Sequence, residues 1–325
     1  MKKVTLLSLF LFLLIFQSCE LFLSEEPLGS IHAIYVGLNY HGTDVNYLEG
    51  TLNDATELQQ CLAILSSNNH RPYTAYPLLQ RGGALLGDSR TRHIYAYDDS
   101  SSGASLPTKS NVLGQIEALA PVLTEKDLTI FSYSGHGVEG GSLVLASPSS
   151  SDPTIYDENN RLKTEVLLSV TELLSALSEL PGKQLLILDS CYCGSFVKPS
   201  GSSVSLIERS EFLDEAFATY FSSERYSPSL CVLAATTGDN TSKERPSSAA
   251  HIHGYFTEAV LDGLGWDHGS STVFGSSPAM RKGVLTTDSL YAYVLENQDF
   301  PSTGIFSSQY QHPTTSGGAY TLRIF

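Results

Sequence analysis

The chain has 325 residues, 42% of them hydrophobic, and a formal net charge of −15. That length fits one large α/β domain or two small ones with ample material for a core. No basic stripe interrupts the acidic balance, which excludes a nucleic-acid-binding class and favours basic partners.

Lys2 and Lys3 precede an apolar run from Val4 to Phe16. The run is too short for a comfortable membrane span and suits the core of a signal peptide. Ser18-Cys19 follows, and the whole resembles a bacterial lipoprotein signal over residues 1–18, with Cys19 lipidated and residues 19–30 as a tether. An ordinary secretory signal is the alternative. The lipoprotein reading implies export and a lipid anchor in a bacterial envelope membrane, periplasmic or at the surface, because two or three acyl chains hold a protein stably. Four further cysteines remain, Cys61, Cys191, Cys193 and Cys231. An oxidising compartment allows them three pairings.

Ile31 to Gly37 is a β-rich run ending in glycine, the first expected strand. Asn53 or Asp54 is an expected N-cap for a helix whose apolar face is Leu58, Cys61, Leu62 and Leu65. Residues 66–91 read as polar, Gly-rich loop, and Arg92 to Tyr97 as the second strand. A Ser-rich loop leads to a helix over Asn111 to Leu123 and a third strand over Asp127 to Tyr133. A short apolar segment, Leu143 to Ala146, precedes a Ser/Pro loop and a helix over Glu165 to Leu180, stopped by Pro181-Gly182. Gln184 to Leu188 is a continuous apolar run of the kind buried on both faces, the fourth strand. A loop over Lys198 to Ser210, a helix over Glu211 to Phe221 and a fifth strand over Leu230 to Ala235 come next. Helices over Gly254 to Leu264 and Thr287 to Gln298 and a final strand over Gly318 to Phe325 complete the chain.

Strands alternating with helices predict an α/β fold: a mostly parallel, six-stranded sheet with helices on both faces, in one domain over residues 31–325. In such sheets sites form beyond the carboxyl ends of the strands. Two chemistry-bearing turns fall there, Ser134-Gly135-His136-Gly137 after the third strand and Asp189-Ser190-Cys191-Tyr192-Cys193-Gly194 after the fourth. A thiol attacks as its thiolate, and a neighbouring imidazole can take its proton and return it to a leaving amine. His136 is therefore the expected base and Cys191 the expected nucleophile. The N–H groups of Gly137 and Cys191 are the expected oxyanion donors. His32, His41, His70, His93, His251, His253, His268 and His312 show no HExxH or Cys/His metal spacing. Surface or turn roles are expected of them, with no metal or cofactor. No P-loop and no Gly-x-Ser-x-Gly elbow occurs. The lone Trp266 reads as packing or a loop rim.

Tyr133-Ser134-Gly135-His136-Gly137 and Asp189-Ser190-Cys191-Tyr192-Cys193-Gly194 resemble the His and Cys motifs of the caspase/metacaspase-like cysteine peptidases. Leu48-x-Gly50-x-x-Asn53-Asp54-Ala55, Leu233 to Glu244, and Gly254-Tyr255-Phe256-Thr257 resemble further segments of that family. The resemblance implies a caspase-haemoglobinase fold and a cysteine endopeptidase acting on a peptide or protein. It assigns the nucleophile to Cys191 rather than Cys193. It also implies that Asp54 and Asp189, with Ser134, line a pocket selecting Arg or Lys, a role that suits charge-assisted and bidentate bonds to guanidinium. Helix capping for Asp54 and a turn hydrogen bond for Asp189 are the structural alternatives. The family's acidic calcium-binding stretch is reduced here to scattered Asp152, Asp157 and Glu158. Arg161, Lys163, Lys198 and Arg209 lie in loops open to processing. A disulfide between Cys191 and Cys193 would silence the enzyme. Two other functions use the same fold: a catalytically silent lipoprotein that binds peptides or an envelope partner, and an acyl transferase.

Overall fold

The central strands are apolar on both sides, and this dictates helices on both sides of the sheet. A computed structural model describes residues 27–82, 96–97, 105–138, 141–149, 152–191, 229–236, 241–246, 251–296, 311–317 and 321–325. The signal run, Cys19, Cys193, Lys198, Arg209 and the expected helix at 211–221 lie outside the described residues.

The main sheet contains β1 (Ile31–Leu38), β2 (Tyr73–Gly82), β3 (Ala96–Tyr97), β4 (Leu128–Ser134), β8 (Lys183–Asp189), β9 (Leu230–Ala234) and β12 (Thr314–Gly317), in the order β12-β9-β8-β4-β1-β2-β3. The five strands from β9 to β2 run parallel, and only the edge strands β12 and β3 are antiparallel. The expected mostly parallel sheet is present, and the unexpected β2 stands between β1 and the two-residue β3, the described part of the expected strand over Arg92 to Tyr97. A small second sheet of β5 (Gly137–Val138), β6 (Ser142–Val144) and β7 (Leu167–Ser169) follows the His-bearing turn. A hairpin of β10 (Trp266–Asp267) and β11 (Thr272–Val273) lies near the C-terminal helices.

Helix α1 (Thr51–Asn68) packs on α4 (Tyr255–Leu264), and α4 packs on α5 (Thr287–Glu296). Helices α2 (Lys109–Leu119) and α3 (Val170–Ser178) form the other packed pair. Leu58, Cys61, Leu62 and Leu65 of α1 are buried, as their spacing requires. Among the described residues no helix is long and apolar enough to cross a membrane.

Four expectations need correction. The second strand is β2, inside the segment read as loop, and only Ala96–Tyr97 of the expected strand is a strand among the described residues. Pro77 argues against a strand, but its carbonyl points outward to Ser105. Its missing N–H falls on that same side and costs no bond to β1. Among the described residues the last strand is Thr314–Gly317, and residues 321–325 of the expected final strand form none. The helix expected from Glu165 begins at Val170, where Ser169 and Glu172 form a capping box, because Leu167–Ser169 pairs as β7. Helix α1 starts at Thr51 with Gly50 as its N-cap, so neither Asn53 nor Asp54 caps it.

Candidate active site

The parallel register sets the geometry. Ser134, the last residue of β4, pairs with Gly37 on one side and Asp189, the last residue of β8, on the other. His136 and Cys191 each follow that aligned row by two residues. Gly135 N–H donates to Asp189 O at 3.2 Å, which extends the ladder one step beyond the strands. The two turns therefore leave the sheet side by side. They leave β4 and β8, beside the β1–β4 boundary where the chain's direction of travel across the sheet reverses.

A pair of buried tyrosines holds the His136 backbone. Its N–H donates to Tyr40 Oη at 2.8 Å, and Tyr133 Oη donates to its carbonyl at 2.7 Å. The two hydroxyls lie 3.0 Å apart, and both reach the Val144 carbonyl of β6. The Tyr40 ring lies against the imidazole, with centroids 4.5 Å apart. Tyr40 has φ +57°, a left-handed conformation that costs a bulky residue about 1–2 kcal/mol. Thr43 donates to the Tyr40 carbonyl through both its N–H and its hydroxyl, and Gln80 Oε1 accepts from the Tyr40 N–H. Tyr40 was not singled out in the sequence; a lone tyrosine after a strand carries no local signal of this role.

His136 Nε2 lies 2.7 Å from the Asn46 carbonyl. A carbonyl only accepts, so the proton sits on Nε2 and the lone pair on Nδ1. Burial lowers the imidazole pKa and outweighs the opposing pull of the Asn46 carbonyl. Burial also raises the Cys191 thiol, despite its bond of 3.8 Å to the Ser242 carbonyl. Both groups are thus held neutral at rest. No hydrogen bond joins imidazole to thiol among the described contacts. Gly137 lies so close to the second turn that a Cβ there would stand 2.0 Å from the Cys191 carbonyl oxygen. Only glycine allows this approach. Cys61, Cys191 and Cys231 are free thiols.

Asp54, Asp189 and Ser134 come together behind the turns. Ser134 Oγ donates to Asp54 Oδ2 at 2.6 Å, and the Gly254 N–H lies 3.2 and 3.3 Å from the two oxygens of Asp54. Asp189 Oδ2 accepts from the Thr257 N–H and hydroxyl, and its Oδ1 accepts from Ser242 Oγ at 2.6 Å. A Cβ on Gly254 would stand 2.2 Å from Asp189 Oδ2, so this residue too is restricted to glycine. Burial raises the pKa of both carboxyls, Asp54 to about 7. Asp152 of the reduced acidic stretch is bound to Lys163 at 2.8 Å.

His253 departs from expectation. It is wholly buried, not a surface or turn residue, and its Nδ1 lies 2.9 Å from Asp54 Oδ1. Its Nε2 lies 3.4 Å from Glu57. Burial works against its charge, but Asp54 and Glu57 outweigh burial and raise it to about 10. Trp266 is buried packing, as expected, and its indole N–H also donates to Glu57 at 2.5 Å.

Residues 32–199 match the family described as metacaspase, peptidase C14 domain. Metacaspase-1 of Debaryomyces hansenii is 27% identical over 168 residues, covering 51% of this chain and 33% of that protein. Metacaspase-8 of Arabidopsis thaliana is 28% identical over 173 residues, covering 51% of this chain and 38% of that protein. The matched region thus spans little more than a third of the length of these curated relatives. The solved structure of caspase-1 from Spodoptera frugiperda superposes with a TM-score of 0.47 at 14% identity, over 91% of this chain and 88% of that one.

Proposed function

Since the chain belongs to the metacaspase, peptidase C14 family, matched over half its length, we propose that it is a cysteine endopeptidase that cuts after Arg or Lys through His136 and Cys191. One observation carries the reading. Both residues follow the aligned pair Ser134 and Asp189 by the same two positions, at the carboxyl edge of adjacent parallel strands.

The chemistry follows from the tautomer. Asn46 holds the Nε2 proton, leaving Nδ1 as the base. A substrate carbonyl seated between the turns displaces the thiol from Ser242. Nδ1 takes the thiol proton, and the sulfur attacks the carbonyl carbon. The developing oxyanion is met by the N–H groups of Gly137 and Cys191. The C–N bond then breaks, and the amine leaves with the proton carried by His136. Water, deprotonated by the same imidazole, cleaves the thioester and frees the thiol. Because both groups rest neutral, proton transfer accompanies attack rather than preceding it.

Asp189 has the greater acceptor capacity left for a basic side chain. Its Oδ1 accepts one described bond, while both Asp54 oxygens accept several. Asp54 acts from behind, through its charge and through Ser134. The N-terminal apolar run and Cys19 support an enzyme exported and lipid-anchored at a bacterial envelope membrane.

The test uses the full chain in detergent with reductant, on fluorogenic peptides bearing Arg, Lys, Asp or Asn at the cleavage position. Cleavage after Arg or Lys that vanishes in Cys191→Ala is the expected result. Cleavage after Asp would remove the pocket role from Asp54 and Asp189. No turnover on any peptide would replace the peptidase with a silent binding protein, and peptide transfer to an added amine would replace it with an acyl transferase.

A further inference from the structure

Behind the pocket, Glu57 of α1, His253 before α4 and His268 after β10 converge, their donor atoms all within 4.8 Å of one another. His268 Nδ1 lies 2.9 Å from Glu57 Oε2, and His253 Nε2 lies 3.4 Å from the same oxygen. Two ligand atoms of a tetrahedral zinc site with bonds of about 2.0–2.1 Å stand roughly 3.3 Å apart, so this is the spacing of a ligand set before any rearrangement. The set, two imidazoles and a carboxylate, suits zinc-class ions rather than calcium or magnesium.

The surroundings are those of a ligand set as well. His253 Nδ1 lies 2.9 Å from Asp54 Oδ1 and donates to it, so Nε2 is the nitrogen that can give up its proton to a metal ion. That carboxylate–histidine arrangement is the usual outer support of a metal-bound imidazole. The Glu57 carboxylate is in turn held by the Trp266 indole. On His268, Nε2 faces Asp262 at 3.8 Å when Nδ1 faces Glu57. His253 Nε2 and His268 Nε2 are both buried with no hydrogen-bond partner. Facing Glu57, His253 Nε2 needs positive charge between the two, its own proton in the metal-free chain or a metal ion that takes that proton's place. Glu57 and His268 are part-exposed, which gives an ion a path from solvent.

We propose that Glu57, His253 and His268 form a zinc-class metal site, with Asp54 as the outer support of His253. The fourth position is left for water. Resting on the pocket reading above, Asp54 then serves two sites: one face orients the metal-bound His253, and the other meets Ser134 at the substrate side. An ion here would fix Asp54 as an ionised, oriented carboxylate behind the specificity pocket.

The test needs no substrate, so its failure is separate from failure of the peptidase reading. Full-length chain carrying Cys191→Ala and Cys193→Ala, which removes the two thiols of the second turn, is titrated with Co²⁺ and Zn²⁺. One Co²⁺ per chain is expected, with the intense visible bands of a four-coordinate site, no thiolate charge-transfer band, and displacement by Zn²⁺. His268→Ala and Glu57→Gln, the latter keeping a partner for Trp266, should each weaken binding by at least tenfold. Asp54→Asn should weaken it by about 10–100-fold, the usual cost of losing an outer-shell partner. No binding at millimolar Co²⁺, or binding that both His268→Ala and Glu57→Gln leave unchanged, would overturn the proposal. Circular dichroism of each variant separates a lost ligand from a lost fold.

Discussion

Two histidines, His136 half-buried and His253 buried, stand on opposite sides of Ser134 and Asp54, and desolvation opposes the charge of both while their partners differ. His136 faces a neutral carbonyl at 2.7 Å, and burial lowers its pKa. His253 is the more deeply buried, yet it lies between two carboxylates and its pKa is raised to about 10. Desolvation always opposes the charged form; a nearby opposite charge can reverse the outcome. One side of the molecule is thereby kept neutral for proton transfer, and the other keeps charge in the interior.

The largest expected effect breaks the neutral side. His136→Ala should lower kcat/KM by about 10²–10⁴-fold, the usual worth of a positioned acid–base group, with the melting temperature nearly unchanged. A variant that loses stability instead would mean that His136 is a structural turn residue.

The charged side should answer in the opposite way. Asp54→Ala removes a partner of His253 inside the core, where an unpaired charge costs about 3–5 kcal/mol. Denaturant unfolding should show most of that loss, with Glu57 sparing part of it. A loss under about 1 kcal/mol, the worth of an exposed pair, would mean that the Asp54–His253 contact carries no charge.

The sequence made these two sides unequally legible. His136 and Cys191 end continuous apolar runs, so period and breaker residues sufficed to put both at one sheet edge. The Asp54 pair was not legible, because its partner lies 199 residues away in sequence, as His253, and no local spacing encodes such a contact. Tyr40 was missed for the same reason, as its partners are on β4 and β6. In the fold, β2 was lost because Pro77 and Gly82 mark a loop in isolation, while tertiary pairing of residues 73–80 with β1 and of Arg81 and Gly82 with β3 overrides them. The capping box of Ser169 and Glu172 was legible and would have moved the start of α3 to its observed place.

A smaller effect tests how the neutral side is held. Tyr40→Phe removes the hydroxyl that accepts from the His136 N–H. An unpaired buried N–H costs about 1–3 kcal/mol, spent at the turn rather than across the fold. Activity should fall roughly tenfold in kcat, equal to about 1.4 kcal/mol of barrier, with KM little changed. A rise in KM alone would assign Tyr40 to substrate binding instead of positioning.

The finest test is the pH profile, where the comparison reduces to a direction. Neutral His136 is the base, so activity is lost as pH falls through its pKa in the folded enzyme. Burial lowers that pKa, so the acid limb of kcat/KM should have its midpoint below the ordinary histidine value of about 6.5. A midpoint above that value would mean that a carboxylate reaches His136 during turnover, as Asp54 and Glu57 reach His253, and the two histidines would then differ only in degree. The thiol supplies the matching sign. Burial raises Cys191, so its alkylation by a neutral reagent should accelerate with a midpoint above the free-thiol value of about 8.5. Early acceleration, near neutral pH, would reveal a thiolate–imidazolium pair at rest and move proton transfer ahead of attack.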